Sequence, residues 1–242
     1  MNLLALPLVL SSFVLVGDSI VSNDLSSQSP PIHGWGIPLT TMLSPATVSN
    51  LGVAGTSSRS YYDDYWNPTV GTGVVDNLQS GDFVLIEFGH NDISPDSRHT
   101  TPSEYATFLT SYVNESRAQG ATPILVTPLT SYVFSNNIPV PHIPEYVTAM
   151  RGVATTLNVQ LIDLHQWSID RFTALGEQGT KDIFQVVSTD LIHMTPAGAV
   201  EAATFISGEL AAVPEPSSLL CMFVVAGLTQ SRRVLGWLRK SA

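Results

Sequence analysis

The chain has 242 residues, 44% of them apolar, which suits one α/β domain with extensions and a sizeable core. Its formal net charge is −10, and all 20 acidic residues lie within residues 1–216, which hold only 6 of the 10 Lys and Arg residues. A body this acidic repels a phosphate backbone, so the composition argues against nucleic-acid binding.

The two ends differ from the body. Residues 1–12 (MNLLALPLVLSS) are apolar enough for a signal-peptide core but lack a basic n-region and an A-x-A cleavage site. They are either the remnant of a signal peptide or the start of the first strand. The single cysteine, Cys221, lies in an apolar tail, which excludes an internal disulfide framework and a cysteine-based zinc site.

Five apolar runs followed by turn or helix signals predict the strands of a parallel sheet. They cover residues 13–16, 47–51, 83–88, 123–127 and 159–164. Helices are predicted over 101–119, 144–157 and 195–210, because each has a proline at or next to its first position. The alternation of strands and helices indicates an α/β domain over residues 13–212.

The first strand stops abruptly in FVLVGDSI, residues 13–20. Its apolar run gives way to Gly17, Asp18 and Ser19, and open α/β sheets bind ligands at the carboxyl ends of their strands. Ser19 is therefore placed where chemistry can occur. Polar stretches at three other places border the same edge: NLGVAGTSSRSYYDD (50–64), EFGHNDIS (87–94) and STDLIHMTPAGA (188–199).

Asp190 and His193 are a candidate acid–imidazole pair. Residues three apart on a helical turn are neighbours, so the carboxylate can hold Nδ1 of the imidazole and leave Nε2 free to act as a base. The alternative is an aspartate that caps the last helix and a histidine that satisfies its own hydrogen bonds.

Further candidates follow the second and third strands. Asn91 in Gly-His-Asn-Asp carries a neutral amide suited to stabilising an oxyanion, and Gly55 offers a bare backbone N–H. Both residue types are also common in ordinary turns. Four aromatic residues either form a stacking platform for sugar rings or pack in the core: Tyr61, Tyr62, Tyr65 and Trp66.

Together, the order Gly-Asp-Ser, Asn-x4-Gly, Gly-x-Asn-Asp and Asp-x-x-His resembles the four signature blocks of the SGNH hydrolases, also called GDSL-type esterases. Within that superfamily the chain is similar to rhamnogalacturonan acetylesterases, from about residue 13 to residue 210. The resemblance implies a three-layer α/β/α, flavodoxin-like fold with a five-stranded parallel sheet in the order 2-1-3-4-5. The G-x-S-x-G elbow of the α/β-hydrolases does not occur in the sequence.

The resemblance also implies roles. Ser19 corresponds to the nucleophile, His193 to the general base and Asp190 to the residue that orients this base. An oxyanion hole is implied at the Ser19 N–H, the Gly55 N–H and the Asn91 side chain. Candidate substrate contacts are His90, Tyr61 and Tyr62. None of these roles needs a metal or another cofactor, so none is expected.

The expected function is that of a serine esterase that removes acyl groups, in the first instance acetyl, from a polysaccharide through an acyl-enzyme. Another small ester is also an acceptable substrate. Two alternatives stay open: a lipid-directed esterase or thioesterase on the same scaffold, and a catalytically silent surface protein that binds glycans. The first is disfavoured by the lack of a long apolar lid insertion, and the second by the full set of catalytic residues.

Residues 213–242 resemble a PEP-CTERM sorting signal, with Pro-Glu-Pro at 214–216, an apolar run at 219–228 and Arg-Arg at 232–233. The apolar run is shorter than the ~20 residues that span a bilayer, so a terminal amphipathic helix is the alternative. The resemblance implies export to the cell envelope or exterior, transient membrane association through the tail and a sorting protease that acts on it.

Overall fold

The computed structural model describes residues 12–68 and 73–211. Its strands are β1 (Ser12–Gly17), β2 (Thr47–Asn50), β3 (Phe83–Glu87), β4 (Thr122–Val126), β5 (Phe134–Ser135), β6 (Ile138–Pro139) and β7 (Gln160–Ile162). Five of them form one parallel sheet in the order β2-β1-β3-β4-β7. The predicted fold class and strand order are confirmed, because β7 is the fifth strand of this sheet. The remaining pair, β5 and β6, forms a separate antiparallel hairpin that the sequence patterns did not predict.

Helices flank the sheet. They are α1 (Gly36–Met42), α2 (Ser58–Tyr61), which continues into a π-helical turn (Tyr62–Trp66), α3 (Val74–Asn77), α4 (Pro102–Ala118), α5 (Pro144–Leu157), α6 (Leu164–Phe184) and α7 (Pro196–Ala211). The predicted start of α4 is confirmed by a capping box, in which the Thr101 side chain accepts from the Glu104 N–H.

Helix α6 was missed, and the predicted fifth strand was too long. Strand β7 ends at Ile162, and the Asp163 carboxylate then caps α6 by accepting from the Gln166 N–H. Ile162 and Leu164 are both buried although Asp163 separates them, so apolar spacing alone did not mark this boundary. Within α6, Gly176 has non-helical dihedral angles that interrupt the helical pattern.

The centre of the sheet explains why its strands are continuously apolar. Leu15 and Val16 of β1 and Ile86 of β3 are fully buried, as expected for strands covered on both faces. In the register of β1 and β3, Gly17 lies opposite Glu87. The residues that follow the two strands therefore emerge at the same level of one sheet edge.

The described residues up to Ser207 belong to one compact unit, and residues 208–211 at the end of α7 are assigned to a second unit. Of the predicted N-terminal segment 1–12, only Ser12 is described, as the first residue of β1. The predicted tail 213–242, including Cys221, lies outside the described residues. None of the helices in residues 12–68 and 73–211 has both the length and the apolarity needed to cross a membrane.

Candidate active site

The turn after β1 exposes Ser19 for steric and hydrogen-bonding reasons. A Cβ atom on Gly17 would lie 2.4 Å from a methyl carbon of Val21 and 2.5 Å from the Glu87 carbonyl oxygen, so only glycine fits there. The Asp18 carboxylate then accepts from the Ile20 N–H at 2.9 Å, which closes the turn. Ser19 stands at its tip with 6% of its surface exposed.

Three predicted site residues form one hydrogen-bonded chain. The Ser19 hydroxyl lies 2.9 Å from Nε2 of His193, although the two residues are 174 positions apart. On the other side of the ring, His193 Nδ1 lies 2.9 Å from Asp190 Oδ2. With the proton on Nδ1 donated to the carboxylate, Nε2 is free to accept from the serine hydroxyl.

The Asp190–His193 pair does not lie on a helical turn. Both residues belong to an irregular loop that ends before α7 begins at Pro196. Instead, Asp190 Oδ1 accepts from the backbone N–H groups of Ile192 at 3.1 Å and His193 at 2.9 Å. The same carboxylate therefore shapes the loop and orients the ring, which corrects the helical interpretation of the spacing.

Asp190 and His193 shift each other's pKa in opposite directions. Burial lowers the pKa of His193, but the hydrogen bond and negative charge of Asp190 outweigh burial and leave the pKa above its ordinary value. Burial raises the pKa of Asp190, but the hydrogen bonds from the side chain and backbone of His193 outweigh it, so this pKa is lowered. Asp190 is thus ionised and stabilises the positive charge that His193 acquires when it takes a proton.

The predicted donors lie on the two loops beside Ser19. Asn91 Nδ2 donates to the Thr56 carbonyl oxygen at 2.9 Å and lies 3.5 Å from Asp18 Oδ2. Gly55 is exposed and has φ of +80°, in the left-handed region that favours glycine. The bond between Asn91 and Thr56 joins the loop after β3 to the loop after β2, so both donors belong to one connected rim.

The profile of the GDSL-like Lipase/Acylhydrolase family matches residues 15–200. The chain belongs to this family. This GDSL-family chain is 31% identical over 201 residues to the probable rhamnogalacturonan acetylesterase YesY of Bacillus subtilis strain 168, a match that covers 80% of the chain and 89% of the relative. It is 30% identical over 207 residues to the rhamnogalacturonan acetylesterase RhgT of the same strain, a match that covers 80% of the chain and 86% of the relative.

Solved structures share the fold. Protein YXIM from Bacillus subtilis superposes with a TM-score of 0.72 at 25% identity, and the match covers 85% of the GDSL-family chain but only 57% of YXIM. Axe2, an acetylxylan esterase from Geobacillus stearothermophilus, superposes with a TM-score of 0.60 at 18% identity, over 82% and 93% of the two chains. At that identity, the likeness to Axe2 shows the fold alone.

Two supporting residues of the GDSL-family site were not assigned from the sequence. The Tyr132 hydroxyl lies 3.1 Å from the His193 carbonyl oxygen, and its backbone N–H donates to the Leu191 carbonyl at 2.8 Å, so it fixes the histidine loop. Asp92 accepts from the Ser58 hydroxyl at 2.6 Å and the Thr100 hydroxyl at 2.7 Å. Tyr132 lies in PLTSYVF and Asp92 in GHND, but neither motif indicates which partner its side chain meets.

The structure does not support the three predicted substrate contacts. His90 is 5% exposed, and its Nε2 lies 2.9 Å from the Leu129 carbonyl oxygen. Tyr61 is fully buried, so its ring cannot face a sugar. Tyr62 is half-buried, donates its hydroxyl proton to Glu115 at 2.6 Å and packs against other aromatic rings.

Tyr65 is the better placed aromatic residue, because 42% of its surface is exposed. It lines a cleft of about 510 Å³ together with Asn23, Asn50 and residues 51–53. Residues 51–53 precede the loop that carries Gly55 in the chain, but Ser19, Gly55 and Asn91 do not line this cleft.

One group of donor atoms has a spacing that a metal ion could bridge. One such atom from each of Asp18, Glu87 and His90 lies within 4.8 Å of the others, and all three side chains are buried. Burial first, and then the charges of Asp18 and Asp92, hold the pKa of Glu87 well above its ordinary value. The raised pKa favours the neutral form of Glu87, which lowers the negative charge buried in this cluster.

Proposed function

We propose that the protein is a serine esterase that removes acetyl groups from a carbohydrate. The observation that carries the proposal is the hydrogen-bonded chain from Ser19 through His193 to Asp190, at the sheet edge where α/β folds bind ligands. The names of YesY and RhgT support acetylated rhamnogalacturonan as the substrate class.

The reaction proceeds through an acyl-enzyme. Ser19 Oγ attacks the ester carbonyl carbon as His193 Nε2 takes the hydroxyl proton. The tetrahedral intermediate collapses, the bond to the sugar oxygen breaks, and His193 donates the proton to that oxygen. Water then attacks the acetyl-serine, with His193 again accepting a proton, and acetate and free Ser19 are formed.

The negative oxygen of the tetrahedral intermediate is stabilised by the N–H groups of Ser19 and Gly55 and by the Asn91 amide. Support for this assignment comes from the exposed Gly55 and from Asn91 Nδ2, which has only one close acceptor, the Thr56 carbonyl. Its other contact, with Asp18 Oδ2, is long at 3.5 Å, and on this proposal the substrate oxygen replaces it. Loss of one such donor typically lowers kcat by about 10²–10³.

The test measures acetate release from acetylated rhamnogalacturonan, acetylated xylan and an acetylated bacterial glycan, with Ser19→Ala as the matched control. We expect release from rhamnogalacturonan to be fastest and to disappear in the variant. Comparison of 4-nitrophenyl acetate with 4-nitrophenyl octanoate addresses lipid-directed chemistry. Preference for octanoate, or acetate release that survives Ser19→Ala, would contradict the proposal.

The same proposal includes export to the cell envelope or exterior, with the C-terminal tail as a sorting signal cleaved by a membrane-associated protease. It is supported by the Pro-Glu-Pro, the apolar run and the Arg-Arg pair of residues 214–233. Replacement of Pro-Glu-Pro by Ala-Ala-Ala should leave an uncleaved protein in the membrane fraction. Cytoplasmic accumulation of both wild type and variant would contradict export.

A further inference from the structure

Arg98 bridges the two loops that carry proposed oxyanion-hole donors. Its Nη1 donates to the Gly55 carbonyl oxygen at 3.1 Å and to Asn91 Oδ1 at 3.3 Å. We propose that Arg98 is a positioning residue that fixes the Asn91 amide and the Gly55 loop in the orientation that stabilises the oxyanion. The inference rests on the proposed function, because it concerns the donors assigned there.

The contact with Arg98 determines which end of the Asn91 amide faces the site. A guanidinium group only donates hydrogen bonds, so the Asn91 atom beside it must be the oxygen. Nδ2 then points away from Arg98 and donates to the Thr56 carbonyl. A reversed amide would present its oxygen to the developing negative charge and repel it. Arg98, which only donates, and the Thr56 carbonyl, which only accepts, therefore favour the same amide orientation, the one that stabilises the oxyanion.

Arg98 also restrains the glycine loop. Gly55 lacks a Cβ and has a wide range of accessible backbone angles, so its N–H needs outside support to keep one direction. Arg98 holds the Gly55 carbonyl, and on the preceding side the Asp24 carboxylate accepts from the Ala54 N–H at 2.8 Å. These two contacts hold the loop on both sides of the glycine.

The guanidinium is itself held in place by Asp96. Nε donates to both carboxylate oxygens at 3.0 and 3.2 Å, and Nη2 donates to one of them at 2.7 Å. These bonds lower the pKa of Asp96 to about 2, so the ion pair persists at neutral and moderately acidic pH. Every nitrogen of the guanidinium already has a protein acceptor. This argues for a positioning role rather than capture of a substrate carboxylate.

Substitution of Arg98 should affect turnover rather than folding or substrate binding. The Arg98–Asp96 pair is exposed, with 35% and 48% of the side-chain surfaces accessible, and such pairs add little stability. Arg98→Ala should lower kcat for 4-nitrophenyl acetate by roughly 10- to 100-fold, less than the loss of a donor itself, and change KM by less than about twofold. Arg98→Lys should recover only part of the kcat that Arg98→Ala loses, because one ammonium group cannot contact the Gly55 and Asn91 acceptors and Asp96 at the same time.

The matched control is Arg59→Ala. Arg59 is also partly exposed and pairs with one carboxylate, Glu104, at 2.9 Å, but it does not contact Gly55 or Asn91. Its substitution should leave kcat unchanged. Thermal midpoints identify any variant that folds poorly, and Arg98→Gln provides a second neutral variant, whose shorter amide side chain keeps some polarity.

A double-mutant cycle with Asn91→Ala tests the coupling. If Arg98 acts largely through Asn91, Arg98→Ala should cost at least severalfold less in the Asn91→Ala background than in wild type. An equal loss in both backgrounds, or a raised KM with unchanged kcat, would overturn the inference. If the wild type does not hydrolyse acetyl esters, or Ser19→Ala is equally active, the proposed function fails. If the wild type hydrolyses acetyl esters and Ser19→Ala does not, but the Arg98 variants are as active as wild type, only the inference about Arg98 fails.

Discussion

Two carboxylate–histidine pairs with the same spacing lie near one edge of the sheet, and they differ in environment. In the first, Asp190 and His193, the contacting atoms are 2.9 Å apart, and the side chains are 13% and 25% exposed. In the second, Glu87 and His90, the closest atoms are 3.7 Å apart, and the side chains are 0% and 1% exposed. Equal spacing in the chain therefore does not produce equal chemistry.

The contrast extends to the two carboxyl groups. Burial raises the pKa of Asp190, but its hydrogen bonds from His193 outweigh this effect, so its pKa is lowered. The pKa of Glu87 is raised well above its ordinary value by burial and by the charges of Asp18 and Asp92, and neither of its oxygens has a hydrogen-bond partner among the described residues. Solvent access and hydrogen bonding thus decide which acid is ionised. The accessible pair can assist Ser19, whereas burial favours the neutral form of Glu87 in the other pair.

The largest expected effect separates the two histidines. His193→Ala should lower kcat for an acetyl ester by at least about 10⁴-fold, because Ser19 loses its base. His90→Gln can still donate toward the Leu129 carbonyl and should keep most of the activity per folded molecule. Both kcat values are measured after thermal melts confirm folding. An equal loss in the two variants would remove the distinction between the pairs.

The next effect separates the two acids. Asp190→Asn should lower kcat by about 10⁴-fold. It should also shift the acid limb of the pH–rate profile to lower pH, because the partner that raises the pKa of His193 is gone. In wild type this limb should lie above the ordinary histidine value of ~6.5, since activity needs the neutral ring.

The matched control for that experiment is Glu87→Gln. The raised pKa of Glu87 favours its neutral form, which glutamine resembles, so this variant should keep kcat within a few-fold of wild type and leave the acid limb in place. A loss of activity as large as that of Asp190→Asn would show that the negative charge of Glu87 is needed for turnover.

The same variant should have a pH-dependent effect on stability. Above the unfolded-state pKa of ~4.3, the unfolded chain releases the Glu87 proton while the folded protein retains it, so this group destabilises wild type as pH rises toward its raised folded pKa. The thermal midpoint of Glu87→Gln relative to wild type should therefore increase between pH 4 and pH 7. A difference that stays constant over this range would indicate that the carboxyl is not protonated in the fold.

The smallest effect concerns the surface beside the site. Tyr65 is exposed, unlike buried Tyr61, so the Tyr65 ring is the one of these two that can stack on a sugar. Tyr65→Ala should raise KM for the polysaccharide by about two- to tenfold, as expected for loss of one aromatic contact. It should leave KM for 4-nitrophenyl acetate unchanged, and a rise for both substrates would argue against a role in glycan contact.

Much of the fold was predictable from the sequence because its signals are local. The apolar runs of β1 and β3 and the start of α4 at Thr101 and Pro102 depend on neighbouring residues, and the strand order followed from the family resemblance. Helix α6 was missed because buried Leu164 was counted with the strand, although Asp163 before it is the N-cap of the helix. The two-residue strands of the β5–β6 hairpin are too short for periodicity to detect.

The candidate site likewise contains residues that local motifs identify and residues that no local motif identifies. Ser19, Asp190 and His193 were identified from motifs, and the structure brings them together. The positions of Arg98 and Tyr132 depend on partners 43 and 61 residues away, so no local pattern signals them. Tyr61 and Tyr62 were assigned to the substrate, but Tyr61 is buried and half-buried Tyr62 donates its hydroxyl proton to Glu115, because residue type alone does not reveal which partners a side chain meets.

The central claim is that His193 and Asp190 activate Ser19, and covalent labelling tests it most directly. The protein is treated with a fluorophosphonate at pH 8, and the adduct is located by mass spectrometry in wild type, His193→Ala and Glu87→Gln. The account predicts one adduct on Ser19 in wild type and in Glu87→Gln, and labelling slowed at least about 10³-fold in His193→Ala. A Ser19 labelled equally fast without His193, or an adduct on another residue, would contradict it.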